Sequence, residues 1–221
     1  MQTKKVYLCS LSPRRKELLS KLIGDNFVVM PSNYQETNFL SKQEIKKYRD
    51  KVRKTDLKLE NIIVTTLKNT EGKALSAAKE ISEGIIITAD SLVSCQGKIM
   101  GKPRDLEEAR VFLQTFSGKK IEAVSSFCVY DAQSKKFFLD YEATKVYMDD
   151  FSEQVIDYYV RSQEPLGKAG GFSIQGLGSI LIKKIDGDFH NVVGLPLFRL
   201  NKSLVEFGVF LPRLNSYHKS H

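Results

Sequence analysis

Cysteine and histidine are scarce in this chain, and no stretch of it is apolar enough to cross a membrane. The three cysteines, Cys9, Cys95 and Cys128, lie far apart, and none forms a C-x-x-C pair. Because only three histidines accompany them, a structural zinc site is disfavoured, and we expect buried free thiols in a reducing compartment. Lys4 and Lys5 precede only about six apolar residues, too few for a signal peptide, so we expect a cytoplasmic protein without a membrane partner.

The balance of charge admits an anionic partner without requiring one. Lys and Arg number 34 against 26 Asp and Glu, which gives a formal net charge of +8. Such an excess is compatible with nucleotides, RNA or lipid headgroups. However, the lysines are spread over the whole chain and alternate with acids, which favours a solvated surface. At 221 residues, with 42% hydrophobic and 27% charged residues, the composition is that of an ordinary globular protein.

The order of predicted elements indicates a mixed α/β fold, with helices after strands early in the chain and antiparallel pairs later. The clearest strand is 85–87, which is β-branched throughout and follows a glycine. A hairpin turn is predicted at 96–97, and a helix capped by Asp105 comes next. We assign 1–214 to a single domain and expect the polar residues 215–221 to be a disordered tail.

Two other regions have weaker patterns. Residues 42–70 are rich in lysine and arginine with little helical periodicity, and we interpret them as an exposed, partly helical insertion. A helix is predicted over 73–81, where alanines recur on one face. Two strands are predicted near the end of the chain, over 179–185 and 190–193.

A short motif near the start of the chain predicts an anion site. Residues 6–9 form an apolar strand, Ser12 is a suitable helix N-cap, and Pro13 a suitable first helical residue. Arg14 and Arg15 would then lie in the first helical turn, where the helix dipole disfavours each cation by ~0.3–1 kcal/mol. An anion held by the free N–H groups and both guanidiniums would offset this penalty. The alternative is an exposed basic turn without a ligand.

Asp90 is the strongest single candidate for chemistry. It follows the buried strand 85–87, and a carboxylate there is unfavourable unless a cation or a metal compensates it. Open α/β sheets bind ligands at the carboxyl ends of their strands, which would bring Asp90 close to the arginine motif. The alternative is an aspartate that caps a turn or pairs with a lysine. Lys102 lies on a stiff loop between a glycine and a proline, where it either contacts phosphate or is simply exposed.

The segment 167–178 contains five glycines in twelve residues. It either cradles phosphate or forms a flexible corner, and it matches neither a P-loop nor a dinucleotide fingerprint. Within it, the Gln175 amide could read the edge of a base or satisfy backbone groups. Several cations with two carboxylates, Glu36 and Asp90, suggest metal-assisted phosphoryl chemistry. The rival class is a non-catalytic nucleotide- or RNA-binding module that uses the basic segment 42–58.

Seven short motifs follow one another in a fixed order: 10–19, 89–93, 101–103, 116–119, 164–170, 172–176 and 192–197. Together they resemble the Maf family of nucleoside triphosphate pyrophosphatases. The resemblance implies the inosine-triphosphatase-like α/β fold, an elongated mixed sheet flanked by helices, in two lobes with a nucleotide cleft between them. It also implies hydrolysis of a nucleoside triphosphate to the monophosphate and pyrophosphate with a divalent cation, Mg²⁺ or Mn²⁺.

The resemblance also implies roles for individual residues. Asp90 matches the general base, and Glu36 with Asp90 matches the carboxylates near the metal. The implied substrate contacts are Ser10, Arg14, Arg15, Lys73, Ser91, Lys102 and Gln175. Arg14 and Gln175 resemble the subgroup that acts on dTTP and UTP, with modified pyrimidine nucleotides as further substrates, rather than the one that acts on 7-methyl-GTP.

Three departures from the family pattern stand out. Ser91 occupies a position where this subgroup usually has threonine, so the hydroxyl is kept and a methyl is lost. Glu122 stands where histidine is common, and the stretch between Glu36 and Lys73 is longer than usual. A nucleoside triphosphate is the expected partner, nucleic acid and membrane are disfavoured, and a homodimer is left open.

Overall fold

Seven strands form one mixed sheet in a computed structural model that describes residues 4–55 and 57–209. The predicted tail, 215–221, lies outside the described residues. The strands are β1 (Val6–Cys9), β2 (Val28–Met30), β3 (Ile85–Cys95), β4 (Lys98–Met100), β5 (Lys120–Asp131), β6 (Phe137–Met148) and β7 (Ile182–Asp186). The helices are α1 (Pro13–Ile23), α2 (Lys42–Arg49), α3 (Leu57–Ala77), α4 (Leu106–Phe116), α5 (Glu153–Arg161), α6 (Phe189–Val193) and α7 (Leu197–Glu206).

The strand order is β2-β1-β3-β5-β6-β7, with β4 paired to the far end of β3. β1 runs parallel to both β2 and β3, whereas all the later pairs are antiparallel. The strands β3, β5 and β6, of 11 or 12 residues each, are the longest of the seven described strands. The predicted mixed sheet flanked by helices is therefore confirmed.

One edge of β3 changes partner part-way along the strand. It pairs with β1 as far as Leu8 opposite Ile87, and with β4 from Met100 opposite Val93 onwards. Within the described chain, residues 88–92 have no strand partner on that edge, although β5 pairs with them on the other. Their free backbone groups need other partners, because unpaired polar groups are unfavourable inside a protein.

Apolar side chains pack in three clusters around the sheet. Side chains alternate along β3, so Ile86 packs under α3 on one face, while Ile87 packs towards α1 and α7 on the other. Further along the same strand, Val93 and Cys95 belong to a third cluster beneath α4 and α5. The two ends of the sheet thus carry separate lobes, which meet at the unpaired edge of β3.

Several local predictions are confirmed. Ser12 caps α1 by accepting a hydrogen bond from the N–H of Arg15, and Pro13 is the first helical residue. Asp105 caps α4 in the same way. Cys9, Cys95 and Cys128 are free and buried. No helix within 4–55 and 57–209 is both long and apolar enough to span a bilayer.

The prediction that 42–70 is exposed is correct for most of 42–55 and wrong for 62–70, which are largely buried. α3 is a continuous helix that includes the second half of the segment, 57–70, and buries Ile62, Ile63, Val64 and Leu67 against the sheet. The separate helix predicted over 73–81 is the C-terminal part of α3 followed by a short turn. A helix that is buried on most of its surface lacks an amphipathic stripe, which is why its periodicity was weak.

The strand predicted over 190–193 is also wrong. These residues form the short helix α6, because Asp188 accepts a hydrogen bond from the N–H of Asn191 and so acts as an N-cap. Of the strand predicted over 179–185, only the part within β7 is extended. The residues before it form a 3₁₀ turn. A run of four apolar and polar residues is too short for its period to distinguish helix from strand.

Candidate active site

A cleft of about 410 Å³ opens where β3 lacks a partner strand. Its walls are the β1–α1 loop, the segment after β2, the centre of β3, the loop after β4, the glycine-rich segment and the end of α6. All the residues predicted from the sequence to form the site line it: Ser10, Arg14, Arg15, Glu36, Lys73, Asp90, Ser91, Lys102 and Gln175.

Asp90 lies in the middle of β3, not at the end of a strand as the sequence suggested. Asp90 nevertheless lies close to the arginine motif, as predicted, because β1 ends beside it and leaves the edge of β3 open. Asp90 is 4% exposed. Its Oδ1 accepts a hydrogen bond from Lys73 Nζ at 2.8 Å, and its Oδ2 accepts one from Asn69 Nδ2 at 3.2 Å. Both carboxylate oxygens are therefore held by α3.

Arg15 occupies the free edge of β3. Its guanidinium donates to the carbonyl of Ala89 at 2.9 Å, to Ser91 Oγ at 2.8 Å and to the carbonyl of Gly194 at 3.0 Å. A longer contact, 3.3 Å, reaches Ser10 Oγ. Burial lowers the pKa of Arg15, and the nearby carboxylates oppose that shift. Arg15 thus supplies hydrogen bonds where β3 has no neighbouring strand. These bonds connect α1 to β3 and to the end of α6.

Glu36 and Asp90 share one ammonium group. Lys73 Nζ contacts Glu36 Oε1 at 2.6 Å as well as Asp90 Oδ1. Burial alone would raise the pKa of Glu36, but the Lys73 ammonium, followed by Lys102 and Arg15, outweighs it and lowers that pKa. Glu36 is therefore ionised at neutral pH beside a buried carboxylate.

The donor set fits a hard divalent cation. Magnesium is commonly held by one or two carboxylates together with phosphate oxygens and water. Glu36 and Asp90 supply two carboxylates at one position in the cleft, next to the cations that would hold phosphate. Across the described residues no group of three Asp, Glu, His or Cys side chains could hold a metal by itself. A metal here would take its remaining ligands from the substrate and from water.

The opposite side of the cleft presents cations. Arg14 donates only a long hydrogen bond, 3.4 Å, to the carbonyl of Val193, and Lys102 is exposed. Lys168 donates to the backbone carbonyl of Glu164. Burial lowers the pKa of Lys168, and Arg14 lowers it further. None of Arg14, Lys102 and Lys168 makes an ion pair in the described part of the chain, although Lys102 acts on Glu36 and Lys168 on Glu164 at longer range, so an anion bound here would be their first close ionic partner.

The glycine-rich segment is held in place by Glu164. Its carboxylate accepts hydrogen bonds from the backbone N–H groups of Leu177 and Gly178, both at 2.9 Å. Gly176 lies directly against it, since an added Cβ would stand 2.1 Å from Glu164 Oε2. The resulting turn leaves Gln175 exposed at the mouth of the cleft. The sequence-based hypothesis of a flexible corner is replaced by a pinned turn.

Two buried amides escaped the sequence analysis. Asn69 contacts Asp90 directly, and Asn191 fixes β5 by accepting from the N–H of Ser125 and donating to the carbonyl of Ala123. Asn69 lies one helical turn before Lys73, so the two side chains project from the same face of α3. That spacing would have been informative only if α3 had been recognised as one helix.

The model of the family described as "Maf: Maf-like protein" matches residues 5–207. This chain belongs to the Maf family. It is 44% identical over 206 residues to a Methanococcoides burtonii protein named dTTP/UTP pyrophosphatase. The aligned residues cover 93% of this chain and 96% of the relative. A Pyrococcus furiosus protein of the same name is 39% identical over 211 residues, or 96% of this chain and 99% of the relative.

A solved structure titled nucleoside-triphosphatase / dITP/XTP pyrophosphatase, from Mycobacterium abscessus, covers 93% of this Maf chain and 95% of its own. Its TM-score is 0.43 and its sequence identity 13%, too little similarity to support a conclusion. Membership of the Maf family therefore rests on the family match and on the sequence relatives.

Proposed function

We propose that this Maf protein hydrolyses dTTP and UTP, and nucleotides with modified pyrimidines, to the monophosphate and pyrophosphate. The observation that carries the proposal is the division of charge in the cleft. Asp90 and Glu36 share Lys73, and three further cations that line the same cleft, Arg14, Lys102 and Lys168, make no ion pair with any described residue. The relatives named dTTP/UTP pyrophosphatase support the choice of pyrimidine substrates.

The cations bind the triphosphate in this proposal. Arg14 and Lys102 make no ion pair with any residue of 4–55 or 57–209, so they can pair with phosphate oxygens as a substrate enters. Ser10 lines the same cleft from the β1–α1 loop, where the N-terminus of α1 adds the positive end of a helix dipole. Arg15 contributes mainly by holding the loop, the strand and α6 in register.

Asp90 is the proposed general base. Its carboxylate accepts a proton from a water molecule as the water oxygen attacks the α-phosphorus, and the bond from that phosphorus to the leaving pyrophosphate breaks. Lys73 orients the carboxylate before the substrate binds. Mg²⁺ or Mn²⁺ held by Glu36 and Asp90 would neutralise charge on the triphosphate and on the leaving pyrophosphate.

Base selection is assigned to Gln175 and its surroundings. An amide both donates and accepts hydrogen bonds, so it can pair with the polar edge of a pyrimidine. Ser91, on the floor of the cleft, shares hydrogen bonds with Arg15 Nη2 and Ser125 Oγ, which fixes its hydroxyl. The free, buried cysteines support the proposal of a cytoplasmic enzyme.

The test is a panel of nucleoside triphosphates. The purified protein is incubated with each canonical ribo- and deoxyribonucleoside triphosphate and with modified pyrimidine nucleotides in the presence of Mg²⁺, then Mn²⁺. We expect pyrophosphate and the monophosphate, fastest from dTTP and UTP, and no product after chelation of the metal. Release of single phosphates, or no turnover of any nucleotide, would contradict the proposal.

The RNA-binding alternative gains no support from the basic segment 42–58. Several of its cations are used inside the protein: Lys47 pairs with Glu71, Arg49 with Glu60, and Arg53 with Asp140. These pairs attach α2 and the turn after it to α3 and β6. The charge that suggested a nucleic-acid surface serves in part to hold the fold together.

A further inference from the structure

We propose that Asn69 is a positioning residue that fixes Asp90 and the segment carrying Glu36 relative to each other. The proposal rests on the proposed function, because it concerns the carboxylates to which that function assigns the chemistry. It arises from two hydrogen bonds that the other assigned roles do not use. Asn69 is 1% exposed, so both ends of its amide must find partners inside the protein.

Each end of the amide holds a different part of the site. Nδ2 donates to Asp90 Oδ2 at 3.2 Å, and Oδ1 accepts from the backbone N–H of Thr37 at 3.1 Å. Reversing the amide would place its oxygen against a carboxylate and its NH₂ group against an N–H donor. The two partners therefore determine a single orientation of the side chain. Thr37 follows Glu36 directly, so the second bond fixes the backbone next to that carboxylate.

Asn69 and Lys73 form a pair with complementary properties. Lys73, one turn later on α3, contacts the same two parts of the site, Asp90 and Glu36. An ammonium is a rotatable point charge, so it attracts both carboxylates without dictating their direction. An amide is neutral and directional. A triphosphate attracts the Lys73 ammonium by its charge and so competes with the carboxylates for it. The Asn69 amide is neutral, so its bonds to Asp90 and Thr37 persist when the triphosphate binds.

The rest of the segment after β2 is also seated along α3. Lys68 Nζ donates to the carbonyl of Phe39 at 2.9 Å. The ring of Tyr34 covers Gly72 so closely that a Cβ there would lie 2.2 Å from it. Asn69 lies between these contacts and, like Lys73, also reaches β3. It therefore couples the position of the segment to the position of Asp90.

The main test compares Asn69→Leu with the wild type. Leucine has a similar volume and removes both hydrogen bonds. We expect kcat for dTTP to fall about 10- to 100-fold, the range seen when groups that orient metal ligands are removed. KM should stay within about threefold, since the cations that bind phosphate are untouched. In the protein without nucleotide, hydrogen exchange of the Thr37 amide should become about tenfold faster or more.

A second variant separates the two bonds. Asn69→Asp keeps an acceptor for the Thr37 N–H and loses the donor to Asp90. Slow exchange at Thr37 should remain while kcat falls at least as far as in Asn69→Leu. If Asn69→Leu does not fold, this pair of readouts carries the test. Thr65→Val is the matched control, because Thr65 is buried one turn earlier on α3 and its hydroxyl bonds only within the helix, to Asn61.

Wild-type values of kcat and of Thr37 exchange in a folded Asn69→Leu protein would overturn the inference. Fast exchange at Thr37 in the wild type would do the same. Equal losses in Thr65→Val would show a general effect on α3 and also refute a positioning role. Absence of pyrophosphate release from the wild type would overturn the proposed function alone, because exchange at Thr37 reports the bond to Asn69 without any substrate.

Discussion

The two sides of the cleft satisfy their charges in opposite ways. On the α3 side, Asp90, Glu36, Lys73 and Asn69 form a closed set of ion pairs and hydrogen bonds. On the opposite side, Arg14, Lys102 and Lys168 make no ion pair within the described ranges, although Lys102 acts on Glu36 and Lys168 on Glu164 at longer range. Folding alone gives the charged groups of the first side their close ionic partners. The cations of the second side gain such partners only when an anion binds. A site for a triphosphate and a metal needs both properties, since groups that do chemistry must be oriented before the ligand arrives.

The same contrast separates two neighbouring residues. Arg15 makes hydrogen bonds to β3, to α6 and to the β1–α1 loop, whereas Arg14 makes one long bond. Adjacent positions in the first turn of α1 point about 100° apart, so one reaches the sheet and the other the cleft. The two arginines are equivalent in the motif and different in the structure.

The largest expected effect comes from removing the charge at the centre of the α3 side. Asp90→Asn should lower kcat for pyrophosphate release about 10³-fold, because a neutral amide cannot accept the proton of the attacking water. The melting temperature should change little, since Glu36 remains to pair with Lys73. Asp157→Asn, on α5, is the control for loss of a carboxylate. Retained activity in Asp90→Asn would remove Asp90 from its proposed role.

Next in size is the difference between the two arginines. Arg15→Ala should reduce the free energy of unfolding by about 3 kcal/mol, because it leaves buried carbonyl groups without donors. Arg14→Ala should change it by less than about 1 kcal/mol and instead raise KM for dTTP about tenfold. Urea unfolding and steady-state kinetics on both proteins make the comparison. Equal stability losses would refute the division of labour.

A smaller effect is expected on the cationic side. Lys102→Ala should raise KM about fivefold to tenfold with kcat and melting temperature nearly unchanged, because Lys102 is exposed and makes no ion pair within the described residues, so its main contribution is to binding. Added salt should weaken wild-type binding more than binding to the variant. Lys98→Ala, an exposed lysine on β4, should behave like the wild type in both measurements.

The smallest expected effect is on the pH dependence of stability, through Glu164, which holds the turn at Leu177 and Gly178. Burial opposes ionisation of Glu164, but the N–H groups of Gly178 and Leu177 outweigh it, so the pKa of this carboxyl lies below its usual 4.5. Its ionised form thus stabilises the fold at pH values above 4.5, and the stabilisation disappears as the pH falls through the lowered pKa. Glu164→Gln should lose about 1 kcal/mol at pH 7 and almost nothing at pH 2. A stability difference that does not shrink on acidification would contradict this account.

The sequence by itself determined the features that depend on a few neighbouring residues. The caps at Ser12 and Asp105, the hairpins and the strand around residue 86 follow from local hydrogen bonding and side-chain alternation. The residues that line the cleft were predicted from sequence motifs. Because a motif depends on residue type and order, these residues were found even where the secondary structure around them was predicted wrongly. The long helix α3 and the short helix α6 were misread, because one is buried on most of its surface and the other is too short to show a period.

Only the tertiary structure decided how those residues divide their work. One edge of β3 is unpaired because β1 ends before residue 88 and β4 begins to pair only at Val93. No local sequence pattern encodes where these two neighbouring strands end. Arg15 fills the gap by reaching Gly194, 179 positions away. Asn69 meets Asp90 because α3 crosses the same strand. These contacts depend on where distant segments end and cross, so they arise from the packing of the whole chain rather than from the preferences of any one stretch.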